Sequence, residues 1–434
     1  MAAKFRPFLA LALIPLILGA CQTGGGYGNR AWDYSRTQSQ SAEQPPSQIS
    51  SATPQTGLSN LSNTAPATNQ QNLPPVKIGL LLPLSGQHKA LGEAMLNAAQ
   101  IAVFDIGYDN FELVPKDTQA TPQGAANAAR SALKDGAQLI LGPVFASSVS
   151  AVKPITSASG VNMIAFSTDW SLAQSNKSGG NTFIFGFLPF DQVERITGYA
   201  ASTGTIKNIG VLSPNTSYGR AVTNAFDRTA PRYGLHTTAR SNFNAGSNNL
   251  SPEISAFSRY AQRQGIQNAP APFDAVLMPV GGRQAADISA LLTQNGLPPS
   301  TVRRLGTGLM DDKSLAFQNS LEGTWFAAPS PRLRQSFEQK YLKTYNTPAP
   351  RLATLAYDAT ALAAVLAQRG LQSGGAPAFD RAAIMNPSGF FGIDGVFRFR
   401  PDGTVERGLA VLEFSRGQIR IIDDAPTTFQ QTNY

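Results

Sequence analysis

VKIGLLLP, residues 76 to 83, is a short apolar run rich in branched side chains, and the fold follows from how it is read. Such a run suits a strand buried on both faces, because a parallel sheet covered by helices leaves it no polar side. Residues 91–106 follow with helical spacing, and the pair then repeats. Residues 111–117 read as a strand, 121–135 as a helix, 139–141 as a strand, 147–159 as a helix and 162–166 as a strand. Thr121 and Pro122 supply a cap and a first helical residue. Strands alternating with helices predict an α/β fold with a parallel sheet flanked by helices.

After residues 183–187 the pattern restarts. It runs helix 191–203, strand 209–213, helix 218–233, a strand near Leu235, a helix from about Ser251, strand 275–279, helix 285–294 and strand 304–307. This is a second lobe of the same class, followed by helices over 332–345 and 351–369. The C-terminal part is different. Residues 395–400 and 408–414 flank Pro401-Asp402-Gly403, a hairpin signal, and Arg416-Gly417 turns a last strand pair ending near Ile422. A folded part of residues 76–434 is too long for one compact core and suits two lobes.

Lys4 and Arg6 precede an apolar run at 8–18, interrupted by Pro15. A membrane-spanning helix needs roughly 20 apolar residues, so residues 1–20 read as a signal peptide. Leu18-Gly19-Ala20-Cys21 resembles a bacterial lipobox, which implies cleavage before Cys21 and its acylation; the alternative is an ordinary secretory signal with a stray cysteine. Residues 21–75 then form a tether rich in Gly, Ser, Thr, Gln, Asn and Pro. Its charges, Arg30, Asp33, Arg36 and Glu43, cancel, and it carries too little apolar surface to offset the entropy of ordering. Cys21 is the only cysteine, so the folded part has no disulfide, thiolate metal site or cysteine nucleophile.

The formal net charge is +8. The basic residues are scattered among acids with no run of interleaved aromatics, which argues against nucleic acid and leaves anionic envelope material as the charge-matched surface. His88 and His236, the only two histidines, have no partner at metal-ligand spacing. No phosphate-binding loop, nucleophile elbow or dinucleotide fingerprint is present. The sequence predicts a non-catalytic binding module without cofactor or metal.

Several stretches resemble one family. They are IGLLLPLSG (78–86), Gly92 with Ala98-Ala99, VPKDTQATPQGAANAARSAL (114–133), ILGPVFASSV (140–149), Tyr218-Gly219, Ala356-Tyr357-Asp358 and FFGIDGVFRF (390–399). In order and spacing, residues 76 to about 415 resemble the type I periplasmic-binding fold, in the leucine/isoleucine/valine-binding branch. The resemblance implies two lobes joined by three crossings, near Leu188, Ala327 and Leu371, with a C-terminal β-hairpin. The N-lobe then holds 76–188 and 328–371, and the C-lobe 189–327 and 372–434. It also implies a ligand cleft between the lobes, at the carboxyl ends of the strands.

Ser147 and Ser148 stand where a strand hands over to a helix, and Ser167 and Thr168 follow the next strand. Each pair is read either as a cap or as a contact to a ligand carboxylate, the role the resemblance implies. Asp191 and Tyr218 match positions that line the cleft from the second lobe, although an Asp at a helix start is also a natural cap. One departure stands out. In amino-acid binders of this branch an acid a few residues after a Gly-Gly turn holds the ligand ammonium. Here Gly281-Gly282-Arg283-Gln284-Ala285-Ala286 has alanine at the expected place and Arg283 nearby. Without an acid such as Asp169, Asp311 or Asp312 in substitution, a desolvated ammonium has no counter-charge.

Two readings follow. In the first, the chain resembles the penicillin-binding protein activator lipoproteins of the outer membrane, which implies docking on a peptidoglycan synthase. Gln22 after the cysteine resembles the outer-membrane sorting pattern, with the domain facing the periplasm. In the second, it is a substrate-binding lipoprotein for amino acids or related small molecules, serving an ABC importer or a sensor.

Overall fold

The computed structural model describes residues 75–174, 180–266 and 269–429. The signal peptide, Cys21 and the tether up to residue 74 lie outside them.

The first lobe opens with β1 (Val76–Leu82), α1 (Lys89–Ile106), β2 (Phe111–Asp117), α2 (Pro122–Lys134), β3 (Leu139–Leu141), α3 (Ala146–Ser159), β4 (Met163–Ala165), α4 (Ser171–Gln174) and β5 (Thr182–Ile184). The five strands form one parallel sheet in the order β2-β1-β3-β4-β5. Ile78, Leu80, Leu81 and Leu82 of β1 are fully buried, as a central strand with helices on both faces requires. The Thr121 hydroxyl accepts from the Gly124 N–H at 3.0 Å and Pro122 opens α2, so this helix starts as its residues predict. Gly92 lets α1 lie close over the end of β1: a Cβ there would meet the Pro83 carbonyl oxygen at 2.1 Å.

The second lobe holds α5 (Pro189–Ser202), β6 (Asn208–Pro214), α6 (Ser217–Thr229), β7 (His236–Phe243), α7 (Ser251–Phe257), α8 (Tyr260–Arg263), β8 (Ala275–Leu277), α9 (Gly282–Gln294), β9 (Arg303–Gly306) and β10 (Trp325–Ala328). Its sheet is also covered on both faces. Ile209 and Val211 pack with Ile196 and Phe226, while Leu212 packs on the other side with Phe257, Phe273 and Ile288.

The chain then returns to the first lobe. In α10 (Pro331–Tyr345) and α11 (Ala353–Gly374), Phe337, Tyr341, Tyr357 and Ala361 pack against Ala98 and Ala102 of α1. There follow α12 (Arg381–Ile384) and a three-stranded antiparallel sheet of β11 (Phe390–Gly392), β12 (Gly395–Phe399) and β13 (Val405–Arg407). Phe390, Phe397, Phe399 and Val405 join the first lobe's core. Finally β14 (Ala410–Ser415) and β15 (Gln418–Asp423) add an antiparallel hairpin beside β10, completing a seven-stranded sheet β15-β14-β10-β9-β8-β6-β7. Arg416 and Gly417 both have positive φ, 53° and 74°, as a tight hairpin turn requires.

The third crossing corrects the sequence-based boundary. Leu371 lies inside α11 and packs on the first lobe's core. The chain changes lobe after β13, near Gly408, because the aromatic side chains between 379 and 399 bury in the first lobe. The strand paired with β12 across Pro401-Asp402-Gly403 is therefore β13, and residues 410–415 belong to the other lobe.

Candidate functional site

A cavity of about 680 Å³ opens between the lobes, at the carboxyl ends of β6, β8 and β9. That is where open α/β sheets leave backbone groups and loops free to receive a ligand. Its walls are mainly apolar: Phe187, Pro214, Pro279, Val280, Leu309 and Leu352. The polar groups are few: Thr168, Gln192, Thr216, Tyr218, Gln284, Asp311, Asp312 and Arg351. Few polar groups in an apolar concavity suit a small organic ligand held in one orientation.

Most of these groups are already fixed. The Tyr218 hydroxyl donates to Thr307 Oγ1 at 3.0 Å and stands 3.4 Å from Gln192 Oε1. Gln192 accepts from the Gly308 N–H at 2.7 Å and donates to the Leu188 carbonyl at 3.0 Å, so one buried amide joins the first crossing to the β9 loop. Burial pushes the Tyr218 phenol up to about 12, so it remains a neutral donor. Thr216 caps α6 by accepting from the Gly219 N–H at 3.0 Å. Gln284 donates to the Ala245 carbonyl at 3.2 Å.

The cleft floor carries charge. Asp311, from the second lobe, accepts from Arg334 at 2.7 Å and from Arg351 at 2.9 Å, both on the first lobe. Arg351 also holds Asp394, with bonds of 2.9 and 3.1 Å, and stacks 4.2 Å from the Phe187 ring centre. Thr354 donates to Asp394 at 2.6 Å. Beneath them Asp358 is fully buried and accepts from the Ile393 and Asp394 N–H groups, at 2.8 and 3.3 Å. Gly392 makes this possible, because a Cβ there would lie 2.4 Å from the Asp358 carboxylate. Burial first, and then the neighbouring Asp394, push Asp358 up to about 7. Burial alone would raise Asp394 as well, but Arg351, Arg334 and Arg407 outweigh it and hold that carboxyl low.

The chain belongs to the periplasmic binding protein family. The family model described as "Periplasmic binding protein" matches residues 75–418. A Leu/Ile/Val-binding protein, BraC3 of Rhizobium johnstonii, is 26% identical over 168 residues, which are 37% of this chain and 45% of that protein. The match thus spans about half of the relative's length. The fold resembles the leucine-binding protein LivK of Thermotoga maritima (TM-score 0.58, 23% identity, 82% of this chain and 99% of that one). It also resembles a solute-binding protein of an ABC transporter from Rhodopseudomonas palustris, solved with 3,4-dihydroxybenzoic acid (TM-score 0.60, 18% identity, 82% and 97% covered). At these identities the likeness to solved structures speaks for the fold alone. Within the periplasmic binding protein family the chain resembles the leucine/isoleucine/valine-binding branch, a group of substrate-binding, envelope-facing proteins. No described helix is long and apolar enough to cross a membrane.

Against this family background, the sequence-predicted residues separate. Tyr218 and Thr168 lie in the cleft wall. Ser147 is exposed in the first turn of α3. Ser148 is buried and its hydroxyl stands 3.5 Å from the Thr121 carbonyl. Neither caps the helix, since the cap residue is Phe145. Ser167 is buried and its hydroxyl accepts from the Asp169 N–H at 3.1 Å. Asp191 takes a different role from the one expected. Its carboxylate receives Arg400 at 2.5 Å and the Arg407 N–H at 3.0 Å, tying α5 to the β12–β13 hairpin across the lobes. It is absent from the residues lining the cavity.

The Gly-Gly turn also reads differently in three dimensions. Ala285 and Ala286 are buried in the second core, and Gln284 is the residue that faces the cleft. Arg283 points to solvent, 92% exposed, and pairs with Asp287 at 3.4 Å. Of the candidate acids only Asp311 is ion-paired, to two arginines; Asp312 accepts from the Ser314 N–H at 2.8 Å and Asp169 accepts from Ser171, both neutral donors. Gln192, Thr216 and Arg351 escaped sequence reading. The only signal was a polar residue on an otherwise apolar helix face for Gln192, and a charge just before a helix for Arg351.

Proposed function

We propose that this protein is a non-catalytic solute receptor of the cell envelope, and that its inter-lobe cleft takes a small organic acid without a free amine, for ABC-type uptake or for sensing. One observation carries the reading. An apolar cleft at the strand ends presents neutral hydrogen-bonding groups, Tyr218, Gln192 and Gln284, and of its two carboxylates Asp311 is committed to two arginines while Asp312 stands at an exposed position. A desolvated ammonium without a counter-charge costs more than the apolar walls return. In this reading Thr168, in the cleft wall after β4, meets the ligand from the first lobe, the kind of contact the family resemblance implies. The family supports the coarser part of this, a substrate-binding protein, and one solved structure of the same fold holds 3,4-dihydroxybenzoic acid, an acid without an amine. The anchor at Cys21 in the outer membrane, with the domain facing the periplasm, belongs to the same proposal. Its check is palmitate incorporation that is lost in Cys21→Ser.

Thermal unfolding with leucine and with its 2-oxo analogue, 4-methyl-2-oxopentanoate, tests the cleft, because a ligand that binds only the native state raises Tm. The 2-oxo acid should give the larger rise, and Gln284→Glu should move the preference toward leucine. A larger rise with leucine in the unaltered protein would overturn the reading.

One observation favours a second reading, a regulator of peptidoglycan synthesis resembling the penicillin-binding protein activators. Asp311 ties the lobes together through Arg334 and Arg351, which suits a domain that presents a fixed surface. Crosslinking in the native envelope decides between them. Capture of a glycosyltransferase-transpeptidase supports the regulator, and capture of importer subunits alone removes it.

A further inference from the structure

The first crossing, residues 187–192, runs between two cavities. Phe187 and Gln192 face the cleft, whereas Phe190 lines a second cavity of about 380 Å³. Trp170 of the first lobe and Phe190 of the second meet there edge to face, with ring centres 4.7 Å apart. Arg228, in the last turn of α6, is exposed and stands 5.9 Å from the Phe190 ring centre. Among the described residues it meets no carboxylate. The other charged groups on the wall have hydrogen-bond partners of their own. Glu194 accepts from Arg232, from the Tyr233 hydroxyl at 2.7 Å and from Thr229 at 3.1 Å. Asp402 accepts from the Thr404 N–H and hydroxyl, at 2.9 and 2.6 Å, and Arg400 is held by Asp191.

We propose that this cavity is a second ligand site, for a small organic anion whose carboxylate meets Arg228 and whose flat apolar body lies against Trp170 and Phe190. A guanidinium presents a planar fork of donors that matches a carboxylate. The ring pair offers apolar area that a bare inorganic anion would leave wet. The volume falls within the roughly 300–1,000 Å³ of small-molecule sites. A cationic ligand is disfavoured, since three guanidiniums on the wall, Arg228, Arg232 and Arg400, stand against two carboxylates, Glu194 and Asp402. The site stands apart from the cleft reading and does not depend on it.

Phenylacetate is the probe, and tryptophan emission is the readout. The difference between the unaltered protein and Trp170→Phe isolates the signal of Trp170. That signal should change saturably with phenylacetate. Arg228→Gln, at an exposed position that leaves the fold intact, should weaken the response by about tenfold or more. Gln284→Phe, which crowds the cleft, should leave it unchanged. The proposal is overturned by a response that does not saturate, by one that survives Arg228→Gln, by one that disappears in Gln284→Phe, or by inorganic phosphate binding as tightly as phenylacetate.

Discussion

Arg304 lies inside the second lobe with its side chain fully buried, and it donates only to neutral oxygens: Ser289 Oγ at 3.0 Å, the Val302 and Leu297 carbonyls at 2.6 Å and the Ser289 carbonyl at 3.4 Å. Arg351 lies where the lobes meet and is gripped by two carboxylates, Asp311 from one lobe and Asp394 from the other. Burial pulls Arg304 down to about 9, with nearby Arg303 adding to it, whereas at Arg351 the two carboxylates outweigh burial and raise the guanidinium. The difference concerns rigidity. Within one lobe the acceptors are backbone carbonyls already set by a strand and a helix end, so neutral groups suffice. Between lobes no shared strand or helix sets the acceptor carbonyls, and long side chains of opposite charge make the junction.

The same substitution at both sites tests this contrast. Arg351→Met takes the ion-pair partner from Asp394, which is without solvent contact, and leaves Asp311 to Arg334 alone, and it should cost about 3–5 kcal/mol, as breaking a buried pair does. Arg304→Met strands no charge. It leaves carbonyls short of a donor and should cost about 1–3 kcal/mol. Urea unfolding of both variants ranks them. A larger loss at Arg304 would break the comparison.

A pH series sharpens it further. The Asp358 carboxyl, raised from the ordinary 3.8 to about 7, keeps its proton in the native state where the unfolded chain has released it. Its contribution to stability is therefore full below the unfolded value and is lost as pH rises through the folded one. Asp394, held low, has the opposite sign, and its contribution is lost only as the solution becomes strongly acidic. Stability should thus carry a component that falls between pH 4 and about pH 7, and Asp358→Asn should flatten it in unfolding measured at constant ionic strength. Burial also raises Asp191, against the pull of Arg400, and its part of the slope should persist in the variant.

The smallest expected effect is at Arg283. Its pair with Asp287 is exposed and screened, so Arg283→Ala should change stability by no more than about 0.5 kcal/mol and leave the ligand-induced shift in Tm as it was.

Alternation of apolar runs and helical spacing was enough to recover two parallel sheets, and Thr121-Pro122 the start of α2, because those signals are local. β10 was not legible. Trp325-Phe326-Ala327-Ala328 is a fully buried strand, but two alanines carry no β preference, and its place beside β14 comes from pairing across a long stretch of chain. The third crossing failed for a related reason. A hairpin signal identifies a turn without saying which core its strands enter, and Phe397 and Phe399 enter the first lobe.

By itself, then, the sequence determined the class of fold and the two-lobed plan, and its family resemblance implied a cleft at strand ends and the want of an acid at the place expected for an amine. Tertiary structure alone decided which candidates face that cleft. Asp191 turned to Arg400, Asp311 to Arg334 and Arg351, Arg283 to water, and Gln284 inward. The physical reason is that a charged side chain settles on whichever partner satisfies it at least desolvation cost. Here those partners lie on the other lobe or on a distant turn of chain, where no local pattern can name them.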